Sequence, residues 1–318
     1  MKTIVVTGIN GFIGSSVSKK LLENGHSIIG LSIEERAVID HPNLRYIQTD
    51  LTDWQHVQTI FSSYDIDMLL HFAGIAHVVK GQTVTDEAYK RVNYLVSKNL
   101  FRCAAEKNAR VFFASSVDVY GACKSRLWSE DAVPVPVSVY AKTKYAAEGS
   151  LIETYKDIKD KYLIGRFAPV YSRMNMKDPY KRIYLKYPKI TLSLRNNPSY
   201  SFLALDNLVD FVASWVDNNN ISTNIINVCD SEGIKSREFI ELEKKAGRAG
   251  TVIRLPLFIS RLAQKLSNNL LDSGLNQGLG YALAKLFDPR IIDKTQITKA
   301  NYCTKDIKDL VYNNLNMG

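Results

Sequence analysis

Short runs of β-branched and aliphatic residues alternate with longer stretches of helical periodicity through the first half of the chain, and the two periods predict different elements. Thr3-Ile4-Val5-Val6-Thr7 is the first such run. Further strands are expected near residues 27–31, 44–48, 67–72, 110–115 and 161–166, with helices between them. This is the pattern of βαβ units, so the fold class is α/β, a doubly wound parallel sheet. Beyond Arg166 the alternation breaks down. A Lys/Tyr/Pro-rich segment runs to Pro198, one more strand and helix follow around Ser201 to Val216, and the tail is mixed. The expected division is a sheet domain at 1–170 plus about 201–230, and a smaller mixed C-terminal domain at 171–200 and 231–318.

A length of 318 residues and a hydrophobic share of 46% suit a globular chain able to bury a large core. The net charge of +9 allows nucleic acid, an anionic membrane surface or a phosphate-bearing ligand. Lysines and arginines are scattered, with one denser stretch from Lys177 to Arg195 that also carries Tyr180, Tyr184 and Tyr187, and no nucleic-acid reader motif accompanies them. The distribution favours the phosphate-bearing ligand. Cys103, Cys123, Cys229 and Cys303 show neither CxxC nor metal-ligand spacing, so no metal site is expected and a reducing cytoplasm fits. Met1-Lys2 leads straight into the first strand, and no apolar run approaches the ~20 residues of a membrane span. Neither a signal peptide nor an integral membrane segment is expected. Leu255 to Leu266, with Arg261 and Lys265 interspersed, permits surface membrane contact, although a core-facing helix is the simpler reading.

Gly8-Ile9-Asn10-Gly11-Phe12-Ile13-Gly14 joins the first strand to the first helix, the context a dinucleotide fingerprint requires. Its glycines allow a tight turn and close backbone approach, and a pyrophosphate sits at the positive helix N-terminus. The sheet is therefore of Rossmann type. An NAD-binding second strand should end in an acidic residue; here Ser32 holds that place and Arg36 lies just beyond. That pair leans to NADP(H), with NAD left open by Glu34 and Glu35. Asp50-Leu51, after the third strand, is placed to contact adenine, and an ordinary helix cap is the competing reading of Asp50.

Tyr140-Ala-Lys-Thr-Lys144 puts a tyrosine and a lysine four residues apart on one helix face, behind the stiff Pro134-Val135-Pro136 approach. A fixed cation favours the phenolate of a group whose ordinary pKa is about 10, which makes proton shuttling feasible. These residues, with Gly8-x-x-Gly11-x-x-Gly14, His71-Phe72-Ala73-Gly74, Asn93, Ser115-Ser116-Val117-Asp118-Val119-Tyr120-Gly121, Arg166-Phe167-Ala168-Pro169-Val170-Tyr171 and Ser201 to Leu208, resemble the extended short-chain dehydrogenase/reductases. Within that family the chain looks like the nucleotide-sugar epimerase/dehydratase branch.

The resemblance implies that Tyr140 is the acid/base, that Lys144 binds the nicotinamide ribose and lowers the tyrosine pKa, and that Ser116 holds the reacting oxygen. It implies cofactor contacts from Gly8, Asn10, Gly11, Phe12, Ile13, Gly14, Ser32, Arg36, Asp50, Leu51, Phe72, Ala73, Gly74 and Asn93. Sugar dehydratases carry an Asp-Glu pair before Val-Tyr-Gly; here Val117-Asp118 stands instead, which disfavours dehydration and leaves Asp118 either to touch sugar hydroxyls or to be simply polar and exposed. Pro169 and Tyr200 replace residues usual in UDP-hexose 4-epimerases, so diphosphate contacts fall to Lys181, Arg182, Lys186, Lys189, Arg195 and Arg290, among which Arg182, Arg195 and Arg290 are favoured. The tail resembles reductases acting on UDP-4-keto-6-deoxy-N-acetylhexosamines in surface-polysaccharide synthesis. The readings are thus a 4-ketoreductase, a 4-epimerase with tightly bound NAD, or a non-catalytic nucleotide-binding protein. Helices near 85–107 and 138–157 resemble those that pair in homodimers of the family.

Overall fold

The computed structural model describes residues 1–76, 84–158, 160–186, 190–218, 221, 223–299, 302 and 305–312. Seven strands form the main sheet: β1 (Thr3–Thr7), β2 (Ser27–Ser32), β3 (Leu44–Gln48), β4 (Met68–His71), β5 (Arg110–Ser116), β6 (Tyr162–Phe167) and β7 (Ile225–Val228). Their order is β7-β6-β5-β4-β1-β2-β3. β1 pairs in parallel with both β2 and β4, β2 with β3, and β4 with β5. The chain therefore winds outward from β1 to β3, crosses back to β4 and winds the other way. Strand order reverses between β1 and β4, and ligands of open α/β sheets bind outside the strand C-termini at such a point.

The central strands are apolar without alternation because helices cover both faces. Ile4, Val5, Val6, Leu69, Leu70, Val111, Phe112 and Phe113 are all fully buried, whereas edge strand β3 leaves Arg45 and Gln48 exposed. Helices α1 (Phe12–Glu23), α2 (Trp54–Ser63), α3 (Val96–Glu106) and α4 (Val139–Thr154) supply the covering layers. Two of them start at side-chain caps, which satisfy N–H groups that lack an intrahelical acceptor. Asp53 accepts from the His56 N–H at 3.1 Å, and Ser138 from the Ala141 N–H at 3.1 Å. One core cluster joins Val5, Leu31 and Phe113 of the sheet to Val57, Phe101, Ala147 and Leu151 of the helices.

The described residues fall into two compact units, one of Met1–Val119, Ser138–Arg166 and Phe211–Ile226, the other of Tyr120–Val137, Phe167–Asp210 and Asn227–Gly318. In the second unit, the strand Ile190–Leu194 lies between Tyr184–Lys186, antiparallel to it, and Thr251–Leu255, parallel to it. Helices α5 (Ser236–Lys245), α6 (Leu257–Ser273) and α7 (Gln277–Phe287) accompany that sheet. Tyr171, Phe202, Phe239 and Tyr312 belong to one aromatic core there.

In the first unit a buried ion pair ties α4 to the sheet. Glu148 and Arg166 have side chains only 1% and 3% exposed; the guanidinium donates through Nε to Oε1 at 3.1 Å and through Nη2 to Oε2 at 2.7 Å. The Ser115 hydroxyl donates to the same carboxylate. Breaking such a pair leaves a buried charge uncompensated, so Glu148→Ala is expected to cost about 3–5 kcal/mol. Urea denaturation should show that loss, and Glu148→Leu combined with Arg166→Met should recover much of it.

Candidate active site

Gly8, after β1, has φ +68°, and a Cβ there would lie 2.9 Å from the Ala73 Cα. At Gly14 a Cβ would approach the Gly8 carbonyl oxygen to 2.2 Å. The turn thus closes only without side chains. Gly11 caps α1 with no side-chain hydrogen bond, and the first turn carries no acid. Its leading N–H groups therefore face outward as anion donors, and Phe12, 39% exposed, flanks them. Ile13 is half-buried beside it. Donors and missing Cβ atoms together fit a pyrophosphate.

Asn10 is occupied in holding the next loop. Its Nδ2 donates to the Arg36 carbonyl at 2.8 Å and its Oδ1 accepts from the Val38 N–H at 3.0 Å. Ser32 ends β2 and its hydroxyl donates to the Glu34 carboxylate, which holds the Glu34 pKa below the usual carboxylate range. Tyr46 donates to the Glu34 carbonyl. A fixed negative charge therefore stands at the end of β2, with the Arg36 side chain exposed beyond it. Asp50 closes a local turn by accepting from the Thr52 N–H at 2.9 Å and hydroxyl at 2.8 Å, while Asp53 performs the capping. Leu51 packs half-buried against the core.

After β4, Phe72, Ala73 and Gly74 lead to Ile75, whose backbone is gripped by one side chain. Asn93 accepts from the Ile75 N–H at 2.7 Å and donates to its carbonyl at 2.9 Å. Asn93 sits in the π-helical stretch Lys90–Leu95, a local widening often found at functional sites. A Cβ on Gly74 would lie 3.1 Å from Asn93 Oδ1 and 3.5 Å from Lys144 Nζ, so these three residues converge. Beneath them His71 is wholly buried, with Nδ1 2.7 Å from Thr7 Oγ1 and Nε2 2.8 Å from Ser97 Oγ. Burial, aided by the Lys144 charge, pushes its pKa well below the ordinary histidine value.

Lys144, buried on α4, donates to the Ala114 carbonyl at 2.8 Å and lies 4.7 Å over the Phe113 ring. Burial lowers its pKa to about 8, against an upward pull from Glu148. Tyr140 occupies the first turn of α4, two residues beyond the Ser138 cap, and is half-exposed. Ser116 is the last residue of β5, and its Oγ accepts from the Asp118 N–H at 3.2 Å within the turn Val117–Tyr120. The hydroxyl thus ends β5, and the phenol and buried ammonium lie four residues apart on α4, which packs on that strand; hydroxyl, phenol and ammonium are group types that can hold an oxygen and move a proton. Among the described residues no cluster of His, Cys, Asp and Glu could hold a metal.

The other cationic candidates lie in the second unit. Arg290 pairs with Asp288 at 3.1 Å, Lys181 with Asp178 at 2.7 Å, and Arg182 is half-buried with its carbonyl facing Tyr200. Lys189 lies outside the described residues, as does the Lys186 side chain. Arg195, however, shares a cavity of about 480 Å³ with Arg237, Lys244 and Arg254. Sequence reading misses those three because they are distant in the chain. Parallel pairing of Ser193 with Arg254, and α5 alongside, bring them together.

Residues 4–229 match the NAD dependent epimerase/dehydratase family. The chain belongs to that family of nucleotide-sugar enzymes. It is similar to the uncharacterized protein MJ1055 of Methanocaldococcus jannaschii, at 28% identity over 267 residues, 77% of this chain and 80% of that one. "Probable low-salt glycan biosynthesis reductase Agl14" of Haloferax volcanii is 27% identical over 166 residues, 52% of this chain and 53% of its own. The fold is that of WbmG from Bordetella bronchiseptica, solved in complex with NAD, with a TM-score of 0.71 at 18% identity over 97% of this chain and 91% of that one. This epimerase/dehydratase family member therefore takes a nicotinamide cofactor, NAD or NADP. Among the described residues no helix is long and apolar enough to cross a membrane.

The buried Lys144 generates a pH signature. Between about 8 and the ordinary 10.5, the unfolded chain holds a proton that the folded one has released. Its stabilising contribution is therefore complete above pH 10.5 and lost as pH falls through about 8. Urea titrations should show the stability of the parent chain rising relative to that of Lys144→Met from pH 8 to 10.5; a difference independent of pH would contradict the burial argument.

Proposed function

We propose that this family member is a 4-ketoreductase of a nucleotide sugar, with a UDP-4-keto-6-deoxy sugar as the substrate class. The observation that carries the reading is the placement of Ser116, Tyr140 and Lys144 on two packed elements of one unit. The glycine turn, Gly74 and Asn93 would hold the cofactor, which supplies hydride when bound. Ser116 orients the substrate oxygen, Tyr140 delivers its proton, and Lys144, positive at neutral pH, favours the phenolate left behind. Asp118, two residues past Ser116, is the candidate to meet sugar hydroxyls. The Arg195 cavity, with its excess of cations, suits phosphate recognition. The name of the Haloferax relative supports reduction in glycan synthesis.

One observation favours the second reading, a 4-epimerase retaining NAD. Ser32 and Arg36 lean to NADP(H), but the Glu34 carboxylate bonded to Ser32 opposes a 2′-phosphate and accepts from ribose hydroxyls. A single set of assays separates the two. Consumption of NADH or NADPH with a UDP-4-keto-6-deoxy sugar, and no turnover of UDP-hexoses, is expected. Protein purified with NAD that interconverts UDP-hexoses unaided would establish the epimerase instead. In either case Tyr140→Phe should lower turnover about 10²–10⁴-fold while the cofactor-induced thermal shift persists.

The same reading includes a homodimer through the helices near 85–107 and 138–157. Leu95, Tyr145 and Ile152 are exposed there at 42%, 39% and 39%. Sedimentation should give twice the chain mass, reverting to one chain mass in Leu95→Glu/Ile152→Glu.

A further inference from the structure

Helix α6 of the second unit turns an apolar stripe outward. Its inward side is built from Ser260 and Ser267, both buried, with Ala263, Gln264, Leu270 and Leu271 half-buried at helical spacing. Phe258, Leu262 and Leu266, at i, i+4 and i+8, occupy the opposite side and are 67%, 64% and 46% exposed. Leu275, in the turn beyond α6, is 71% exposed. Spacing alone allowed a core-facing helix across Leu255 to Leu266; Leu255, Ser260 and Ala263 take the core side, whereas Phe258, Leu262 and Leu266 do not.

Charge identifies the occupant. Arg261 and Lys265 each follow a stripe residue by three positions, so two exposed cations run alongside Phe258 and Leu262. From Lys244 through Leu271 the chain carries Lys244, Lys245, Arg248, Arg254, Arg261 and Lys265, and no Asp or Glu at all. A second copy docking on this face by two-fold symmetry would set these cations against their own equivalents. An anionic bilayer meets both requirements at once, since the stripe enters the acyl boundary while long basic side chains reach back to the headgroups.

We propose that α6 is an interfacial helix that seats the protein on anionic lipid, with Phe258, Leu262 and Leu266 inserted and Arg261 and Lys265 at the headgroups. The full chain would be pelleted with vesicles of phosphatidylcholine alone or mixed with phosphatidylglycerol. Binding is expected only to the mixed vesicles, weakening as salt rises. Phe258→Ser/Leu262→Ser and Arg261→Glu/Lys265→Glu should each reduce the bound fraction about tenfold or more, with circular dichroism and the cofactor-induced thermal shift retained. Equal binding to both vesicle types, no binding to either, or binding unaffected by charge reversal would overturn the proposal. So would an oligomer that Phe258→Ser/Leu262→Ser dissociates without any lipid binding, which would give the face to a second copy.

Discussion

The carboxylate of Glu148 is the point on which the seating of α4 against the sheet depends. Tyr140, Lys144 and Glu148 recur every four residues along α4, and Glu148 is anchored on two sides, by the Arg166 guanidinium of β6 and the Ser115 hydroxyl of β5. A helix free to rotate or slide would carry Lys144 away from the Ala114 carbonyl and the Phe113 ring. Desolvating two charges is costly, and well-packed apolar residues would hold α4 at least as stably. What an apolar contact lacks is the directionality of a bidentate pair, which fixes register as well as proximity. The adjacent serine on β5 inherits that register.

The sheet was legible because both of its faces are covered. Strands that need no polar face read as plain apolar runs, and those near residues 3–7, 27–31 and 67–72 match the observed strands to within a residue. The glycine turn was equally legible, since Gly8 and Gly14 are dictated by backbone contacts that exclude any side chain. Glu148 was not: one acid among many on a helix carries no mark of what it meets. The same is true of Arg237 and Arg254, which join Arg195 only through strand pairing. Asn10 and Asp50 show the converse. Both lie at positions a fingerprint assigns to a ligand, and each also bonds backbone, Asn10 across to Arg36 and Val38 and Asp50 locally to Thr52.

Positive charge is distributed with different meaning in different places. At the end of β2 the net charge of +9 is irrelevant, because Ser32 and Tyr46 fix Glu34 as the nearest formal charge. In the Arg195 cavity cations converge around one carboxylate, Glu241, which is itself paired with Lys244. Along α6 they border an apolar stripe. Composition treats these charges as one total, and placement separates them.

The buried His71 gives the first unit a fixed hydrogen-bond direction. Ser97 spends its proton on the Asn93 carbonyl, so it can only accept from His71, which places the imidazole proton on Nε2. Nδ1 must then accept from Thr7, whose oxygen in turn accepts from the Ala73 N–H. The series runs one way, from the loop after β4, through the imidazole, to the residue whose amide grips Ile75. A second proton on His71 would set donor against donor at Thr7. The imidazole, engaged at both nitrogens, acts as a polar strut between Thr7 and Ser97.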